Sequence, residues 1–342
     1  MIKTAINGFG RIGRMVFRQL MADTETEVVA VNATYPVETL AHLIRYDSIH
    51  GTWDADIRTE GQNLIVNGRH VRVCQERNPA LLPWGELGID IVVEATGAFT
   101  DRDKAALHLD AGADKVLITA PGQDADLTIV MGVNHFDYDP SAHRIISNAS
   151  CTTNCLAPVA KVIHDAFGIV SGVMTTVHSY TNDQKNIDNP HKDLRRARAC
   201  ATSIIPTSTG AAKAIGLVLP ELKGKMHGMA LRVPTPNVSL VDLVVEVHMP
   251  VDRDQVNGAL RQAAGTSMKG VLSVCDDPLV STDFNGNPHS SIVDSLSTMV
   301  MNEHTVKILS WYDNEWGYAS RVCDAVRYTA VPKEAKTATL TM

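Results

Sequence analysis

The chain has 342 residues, 44% of them hydrophobic and 20% charged, with 23 Gly and 15 Pro. At roughly 100–200 residues per domain this length makes two domains the default, and the composition excludes a disordered chain, a collagen-like repeat and a coiled coil. Lys plus Arg number 31 against 38 Asp plus Glu, a formal charge of −7, so a general affinity for nucleic acid or an anionic membrane is not expected, although a local basic pocket is compatible with it.

The opening MIKTAINGFG alternates like a strand and lacks the basic, apolar and small-residue regions of a signal peptide. No apolar run approaches the ~18 residues of a membrane span. Lys3–Asn7 reads as a strand and Ile12–Met21 as a helix, with Gly8-Phe9-Gly10-Arg11-Ile12-Gly13 between them. That GxGxxG supplies a tight turn, close backbone approach to a pyrophosphate and close helix–strand packing, and the helix N-terminus then faces the phosphates. Glu27–Val31 reads as the next strand. An acidic residue about 20 positions beyond the loop normally binds the adenosine ribose, but Val31-Asn32-Ala33-Thr34 has none. Asn32 and Thr34 can donate hydrogen bonds instead, and without a carboxylate nothing repels a 2′-phosphate, which points to NADP.

Strands at Ile89–Glu94, Lys115–Thr119 and Leu127–Met131, with a helix at Lys104–Ala111, complete an α/β pattern of the Rossmann type, a doubly wound parallel sheet. The texture changes near residue 150. A helix starts at Asn148–Cys151, and the long strands Gly172–His178, Ala230–Pro234 and Ser239–His248 predict an α+β catalytic domain with a mixed or antiparallel sheet. The expected division is a nucleotide domain over 1–150, a catalytic domain over 151–316, and a C-terminal segment over 317–342. In that segment Gly317–Ala330 forms a helix returning to the first domain and the polar tail after Pro332 frays.

The six cysteines, Cys74, Cys151, Cys155, Cys200, Cys275 and Cys323, are dispersed without a CxxC pair, so reduced thiols and a cytoplasmic location are expected. Cys151 falls at a helix N-terminus with Asn148 or Ser150 as cap, where the helix dipole favours a thiolate nucleophile. Cys155 lies one turn deeper and reads as a small buried residue. A zinc pair of Cys151 and Cys155 lacks further ligands at any usual spacing, so no metal is expected. His178 ends a strand and opens into a loop, a common place for a general base but also for a structural histidine. Arg195, Arg196 and Arg198 with Lys192 form the strongest basic cluster, readable as a solvated face or as a phosphate site, with Thr207-Ser208-Thr209-Gly210 as further donors.

Together SNASCTTNCLAP (Ser147–Pro158), HSYTNDQ (His178–Gln184), HKDLRRAR (His191–Arg198), WYDNEWGY (Trp311–Tyr318) and the glycine loop resemble the phosphorylating glyceraldehyde-3-phosphate dehydrogenases over nearly the whole chain. The resemblance implies Cys151 as nucleophile, His178 as general base, and oxidation of a phosphorylated aldehyde with inorganic phosphate as second substrate. It implies one anion site at Thr181, Arg196 and Arg232, and another at Ser150, Thr152, Thr209 and Gly210. It places the cofactor at Gly8, Gly10, Arg11, Ile12, Gly13, Asn32, Ala33, Thr34, Arg77, Thr96, Gly97 and Thr119, with Asn314 orienting the carboxamide. A homotetramer is implied, in which the loop around residues 180–205 packs near a neighbour's cofactor. Ala33 replaces the Asp of NAD-preferring members, and Asp188-Asn189-Pro190 replaces their Asp-Leu-Pro; both resemble the NADP-preferring biosynthetic bacterial branch. NADP is therefore the expected cofactor, with NAD as the lesser one. The related erythrose-4-phosphate dehydrogenases are the nearest alternative, disfavoured by Thr181 and Thr209-Gly210. A non-catalytic nucleotide sensor or RNA-binding scaffold is the alternative of another class.

Overall fold

In the computed structural model residues 1–330 are described, and they divide into two compact units. The first comprises residues 1–129, 135–149 and 319–330; the second comprises residues 130–134 and 150–318. The expected fraying after Pro332 lies outside the described residues.

The first unit opens with β1 (Ile2–Asn7), α1 (Arg11–Ala22), β2 (Thr26–Asn32) and α2 (Val37–Arg45). There follow β3 (Ile57–Glu60), β4 (Asn63–Val66), β5 (Arg69–Cys74), a short α3 (Trp84–Leu87), β6 (Ile91–Glu94), α4 (Arg102–Asp110), β7 (Lys115–Ile118), β8 (Leu127–Thr128) and β9 (Ile145–Ser147). The strands form one sheet in the order β3-β4-β5-β2-β1-β6-β7-β9-β8. β6 is buried at all four positions, as a parallel strand covered on both faces must be. α1 buries Met15, Val16, Phe17 and Leu20.

The expected all-parallel sheet requires a correction at one edge, where β3, β4 and β5 run antiparallel. Asn67 and Gly68 both take positive φ, 49° and 78°, between Val66 and Arg69, the two-residue turn that matches strand twist. The strand expected over Leu127–Met131 shrinks to Leu127–Thr128. As an edge strand it pairs only with β9, and the chain then turns where Asn134 Oδ1 accepts the Val130 N–H.

The second unit contains α5 (Cys151–Phe167), β10 (Ile169–Ser179), β11 (Ile205–Ser208), α6 (Ala211–Val218), β12 (Met226–Val233), β13 (Ser239–Val247) and α7 (Arg253–Gly265). After these come β14 (Leu272–Cys275), β15 (Ser291–Asp294), β16 (Met299–Met301) and β17 (Thr305–Tyr312), and then α8 (Trp316–Ala330), whose residues from Ala319 belong to the first unit. The sheet runs β11-β12-β10-β13-β17-β15-β14 and is mixed: β10 is parallel to β12 and antiparallel to β13. β13 alternates buried residues with partly buried or exposed ones, and α5 packs on β10, β13, β15 and β17. This alternation puts Thr176 and His178 on the helix-covered side, where both are buried.

Candidate active site

In the first unit the glycine loop joins β1 to α1. A Cβ on Gly8 (φ +96°) would lie 2.6 Å from the Thr96 backbone nitrogen, and one on Gly13 only 2.1 Å from the Gly8 carbonyl oxygen. Both glycines are therefore demanded by packing within the protein. A Cβ on Gly10 would meet nothing within 4 Å, so only the close approach of a ligand would demand glycine there. Gly10 caps α1 without a side-chain bond and the first turn carries no acidic residue, so the positive end of the helix dipole suits an anion there. These features fit a dinucleotide pyrophosphate.

The loop borders a cavity of about 570 Å³ whose lining includes Gly8, Gly10, Asn32, Ala33, Thr34, Arg77 and Thr96. Tyr35, Leu40, Leu43 and Phe99 add apolar wall, and none of these four was foreseen from the sequence. Arg11, Ile12, Gly13, Gly97 and Thr119 do not line it. Arg11 pairs through both terminal nitrogens with Asp47, whose carboxyl is held far below its ordinary range by that guanidinium and by the His50 and Ile49 N–H groups. Asn32 also departs from expectation. Its Nδ2 donates to Asn7 Oδ1 and to the Glu76 carbonyl, each at 2.7 Å, and its Oδ1 accepts the Glu76 N–H, so its amide is spent on the protein rather than on a ribose. Thr34 and Arg77 remain exposed on the wall beside Ala33.

In the second unit Ser150 caps α5, its Oγ accepting the Thr153 N–H at 3.0 Å. The residue before it, Ala149, takes φ 54°. Cys151 Sγ, at the first helical position, lies 3.5 Å from His178 Nε2. His178 Nδ1 is 2.7 Å from the Ser179 carbonyl, a distance at which two acceptors would repel, so Nδ1 carries the ring proton and Nε2 turns its lone pair to the thiol. Parallel pairing of β10 with β12 sets Arg232 directly beside His178. Arg232 Nη1 donates to Ser179 O at 3.0 Å and to Thr181 Oγ1 at 3.3 Å.

Burial together with the Arg232 charge pulls the His178 ring down to about 3, so it is an uncharged base near neutrality. The expected thiolate needs correction. Burial pushes the Cys151 thiol above its ordinary value, and Arg232 only partly offsets this. Desolvation outweighs the Arg232 charge and the hydrogen bonds from Thr152 and the Cys151 backbone. Cys155 is fully buried against Ser291 and Ser310, and that burial pushes its thiol up to about 12.

Tyr312 was missed from the sequence. Its hydroxyl meets Thr152 Oγ1 at 2.9 Å and Thr176 Oγ1 at 2.8 Å, and its ring stands edge-on to the His178 ring. The Thr152 hydroxyl is thereby turned into the protein. Ser239, also missed, accepts the Ser179 N–H and donates to Asn314 Oδ1 at 2.8 Å, which fixes the Asn314 amide.

Arg196 donates to Thr207 Oγ1 at 2.9 Å and pairs with Asp183, so much of its fork is already engaged. Thr209 Oγ1 accepts the Ala211 N–H and Gly210 is the N-cap of α6. Asn189 lies in the exposed 180–205 loop, with its N–H on Ala197 O.

Residues 2–102 match the model of the glyceraldehyde 3-phosphate dehydrogenase NAD-binding domain, and residues 150–314 match that of the C-terminal domain. The chain is 64% identical over 329 residues to glyceraldehyde-3-phosphate dehydrogenase 2 of Bacillus subtilis, covering 96% of this chain and 97% of the relative. This chain belongs to the glyceraldehyde 3-phosphate dehydrogenase family. The Geobacillus stearothermophilus enzyme of that name is 61% identical over the same span, covering 96% and 98% of the two chains. Family membership agrees with the mixed sheet, the glycine loop and the thiol–imidazole pair. Among the described residues no helix is long and apolar enough to cross a membrane.

Proposed function

We propose that the chain catalyses the reversible oxidative phosphorylation of D-glyceraldehyde 3-phosphate to 1,3-bisphosphoglycerate. The observation that carries this reading is Cys151 Sγ held 3.5 Å from the unprotonated nitrogen of His178, with Arg232 alongside. As Sγ attacks the aldehyde carbon, Nε2 takes the thiol proton and returns it to the new oxygen, giving a thiohemiacetal. The Cys151 N–H and His178 hold that oxygen while charge develops on it. The dinucleotide, when bound, supplies the hydride acceptor. His178 takes the hydroxyl proton as the carbon is oxidised, leaving a thioester on Cys151. Inorganic phosphate then attacks the thioester carbon, the acyl phosphate leaves, and the sulfur departs as thiolate to be reprotonated. Thr181, Arg196 and Arg232 serve one phosphate; Ser150, the Thr152 backbone, Thr209 and Gly210 serve the other. Steady-state assays with glyceraldehyde 3-phosphate and erythrose 4-phosphate, each with and without phosphate, test this. A strict phosphate requirement and preference for the triose are expected. Turnover with neither aldehyde would favour the sensor reading.

The cofactor reading is NADP before NAD, supported by Ala33 with exposed Thr34 and Arg77 on the same wall. Ala33→Asp is expected to raise the KM for NADP by about 10–100-fold, roughly 1.4–2.7 kcal/mol, while leaving that for NAD little changed, because a carboxylate would face the 2′-phosphate. A clear NAD preference of the unaltered protein would overturn this reading. A homotetramer is supported by the helix-free face of the second sheet, where Val173 and Met229 stand exposed. Asn189 of a neighbouring copy would then adjoin the adenosine ribose. The six cysteines are free, which fits a reducing cytoplasm.

A further inference from the structure

Beneath the dinucleotide cavity lies a buried polar cluster that the reaction does not use. Glu94, the last residue of β6, is 1% exposed, and His108 of α4 is fully buried beside it. Trp84 Nε1 can only donate, and it lies 3.0 Å from His108 Nδ1, so Nδ1 presents its lone pair and Nε2 carries the proton. That Nε2 donates to Glu94 Oε2 at 3.0 Å. Asn7 Nδ2 donates to the same oxygen at 2.5 Å; the 3.3 Å approach of Asn7 Nδ2 to His108 Nε2 is two donors converging on one acceptor. Glu94 Oε1 accepts the Thr96 N–H at 2.8 Å and the Thr96 hydroxyl. Four donors thus compensate the burial of one carboxylate. Through Asn7 Oδ1 the cluster extends to Asn32, which closes a ring with the Glu76 backbone. Asn7, Thr96, Asn32 and Glu76 all line the cavity, and Gly8, Ala33 and Arg77 follow directly in the chain.

We infer that Glu94 is a positioning residue for the dinucleotide: its carboxylate, oriented by the Trp84–His108 pair, holds the glycine loop, the Thr96 turn and the Asn32–Ala33 segment in the shape the cofactor binds. The inference rests on reading this cavity as the dinucleotide site. Glutamine cannot replace Glu94. Its NH₂ must face either the Thr96 N–H or the two donors Asn7 and His108, and His108 cannot turn acceptor while Trp84 occupies Nδ1.

The test is direct titration of the purified full chain with NADP and with NAD, alongside kinetics. Glu94→Gln is expected to raise the Kd of both nucleotides at least tenfold and the nucleotide KM in parallel. Its kcat at saturating nucleotide and the rate of Cys151 alkylation by iodoacetamide should stay within twofold. His108→Leu, which removes a donor from Glu94, is expected to raise Kd at least threefold. His108→Gln, which offers an N–H to Glu94 and a carbonyl to Trp84, should return Kd to within twofold of the original. Unchanged Kd in folded Glu94→Gln overturns the inference, and so does unchanged Kd in His108→Leu should Glu94→Gln fail to fold. If the unaltered protein binds neither nucleotide, the cavity reading falls and takes this inference with it.

Discussion

Cys151→Ser is expected to remove turnover with glyceraldehyde 3-phosphate while nucleotide binding stays unchanged, and His178→Gln to lower kcat/KM by about 10²–10⁴. The first follows because a serine hydroxyl facing the same imidazole is a far weaker nucleophile and a poor leaving group for phosphorolysis. The second follows from the tautomer. His178 Nδ1–H is committed to Ser179 O, so Nε2 is the atom that can accept a proton from Sγ at 3.5 Å. Glutamine can fill the space and cannot take the proton. Equal kcat/KM in His178→Gln and the unaltered protein would remove His178 from the mechanism.

The same pair predicts an unusual pH profile. With His178 near 3 and the thiol above its ordinary value, the resting pair is an uncharged thiol and an uncharged imidazole at pH 7. Alkylation of Cys151 by iodoacetamide should therefore rise along a single limb into the alkaline range, with no shoulder near the ordinary histidine pKa of about 6.5. A thiolate–imidazolium pair would instead give a plateau through neutrality. Stability carries the matching sign. Because the ring protonates more easily unfolded than folded, His178 contributes stability that is full above about pH 6.5 and is lost as pH falls toward 3.

Much of this site is legible in the amino-acid sequence. The glycine loop names its own position, and Ser150-Cys151 announces a capped helix carrying a thiol, because caps and turns are read from local chemistry. Asn67-Gly68 is a local hairpin signal, while the strand–helix alternation on either side of it predicts a parallel sheet. Other features were not legible. Asn32 sits where a ribose ligand belongs, but its amide is claimed by Asn7 and Glu76, 25 and 44 positions away in sequence. Tyr312 reaches Thr152 across 160 positions. Val238, a β-branched residue at φ 64°, carries no sign of that strain in its sequence, although its carbonyl accepts the Ser179 hydroxyl beside His178. Desolvation of the thiol depends on everything packed around it, which a local rule about helix termini does not carry.

Gly13→Ala and Gly10→Ala are expected to separate folding from binding within one six-residue motif. At Gly13 the added Cβ would lie 2.1 Å from the Gly8 carbonyl oxygen, a backbone atom that cannot swing aside. Relief requires the Gly8 carbonyl and α1 to move apart, and α1 carries Met15, Val16, Phe17 and Leu20 into the core. Overpacking of this kind costs typically ~1–3 kcal/mol, and the shift also spoils the helix N-terminus as an anion site. The melting temperature should fall and the nucleotide Kd should rise more than 100-fold together, about 2.7 kcal/mol in binding. At Gly10 the Cβ would meet no protein atom within 4 Å and φ is an ordinary −74°, so the fold tolerates alanine. The melting temperature should stay within a degree or two while the nucleotide Kd rises at least tenfold, because the methyl stands where the pyrophosphate must approach the backbone. Thermal unfolding and nucleotide titration of the two variants check both halves. A Gly10→Ala protein that binds NADP and NAD as tightly as the unaltered chain would mean the pyrophosphate does not approach the loop at that residue, whereas a Gly13→Ala protein of full stability would mean α1 is free to shift without disturbing its core face.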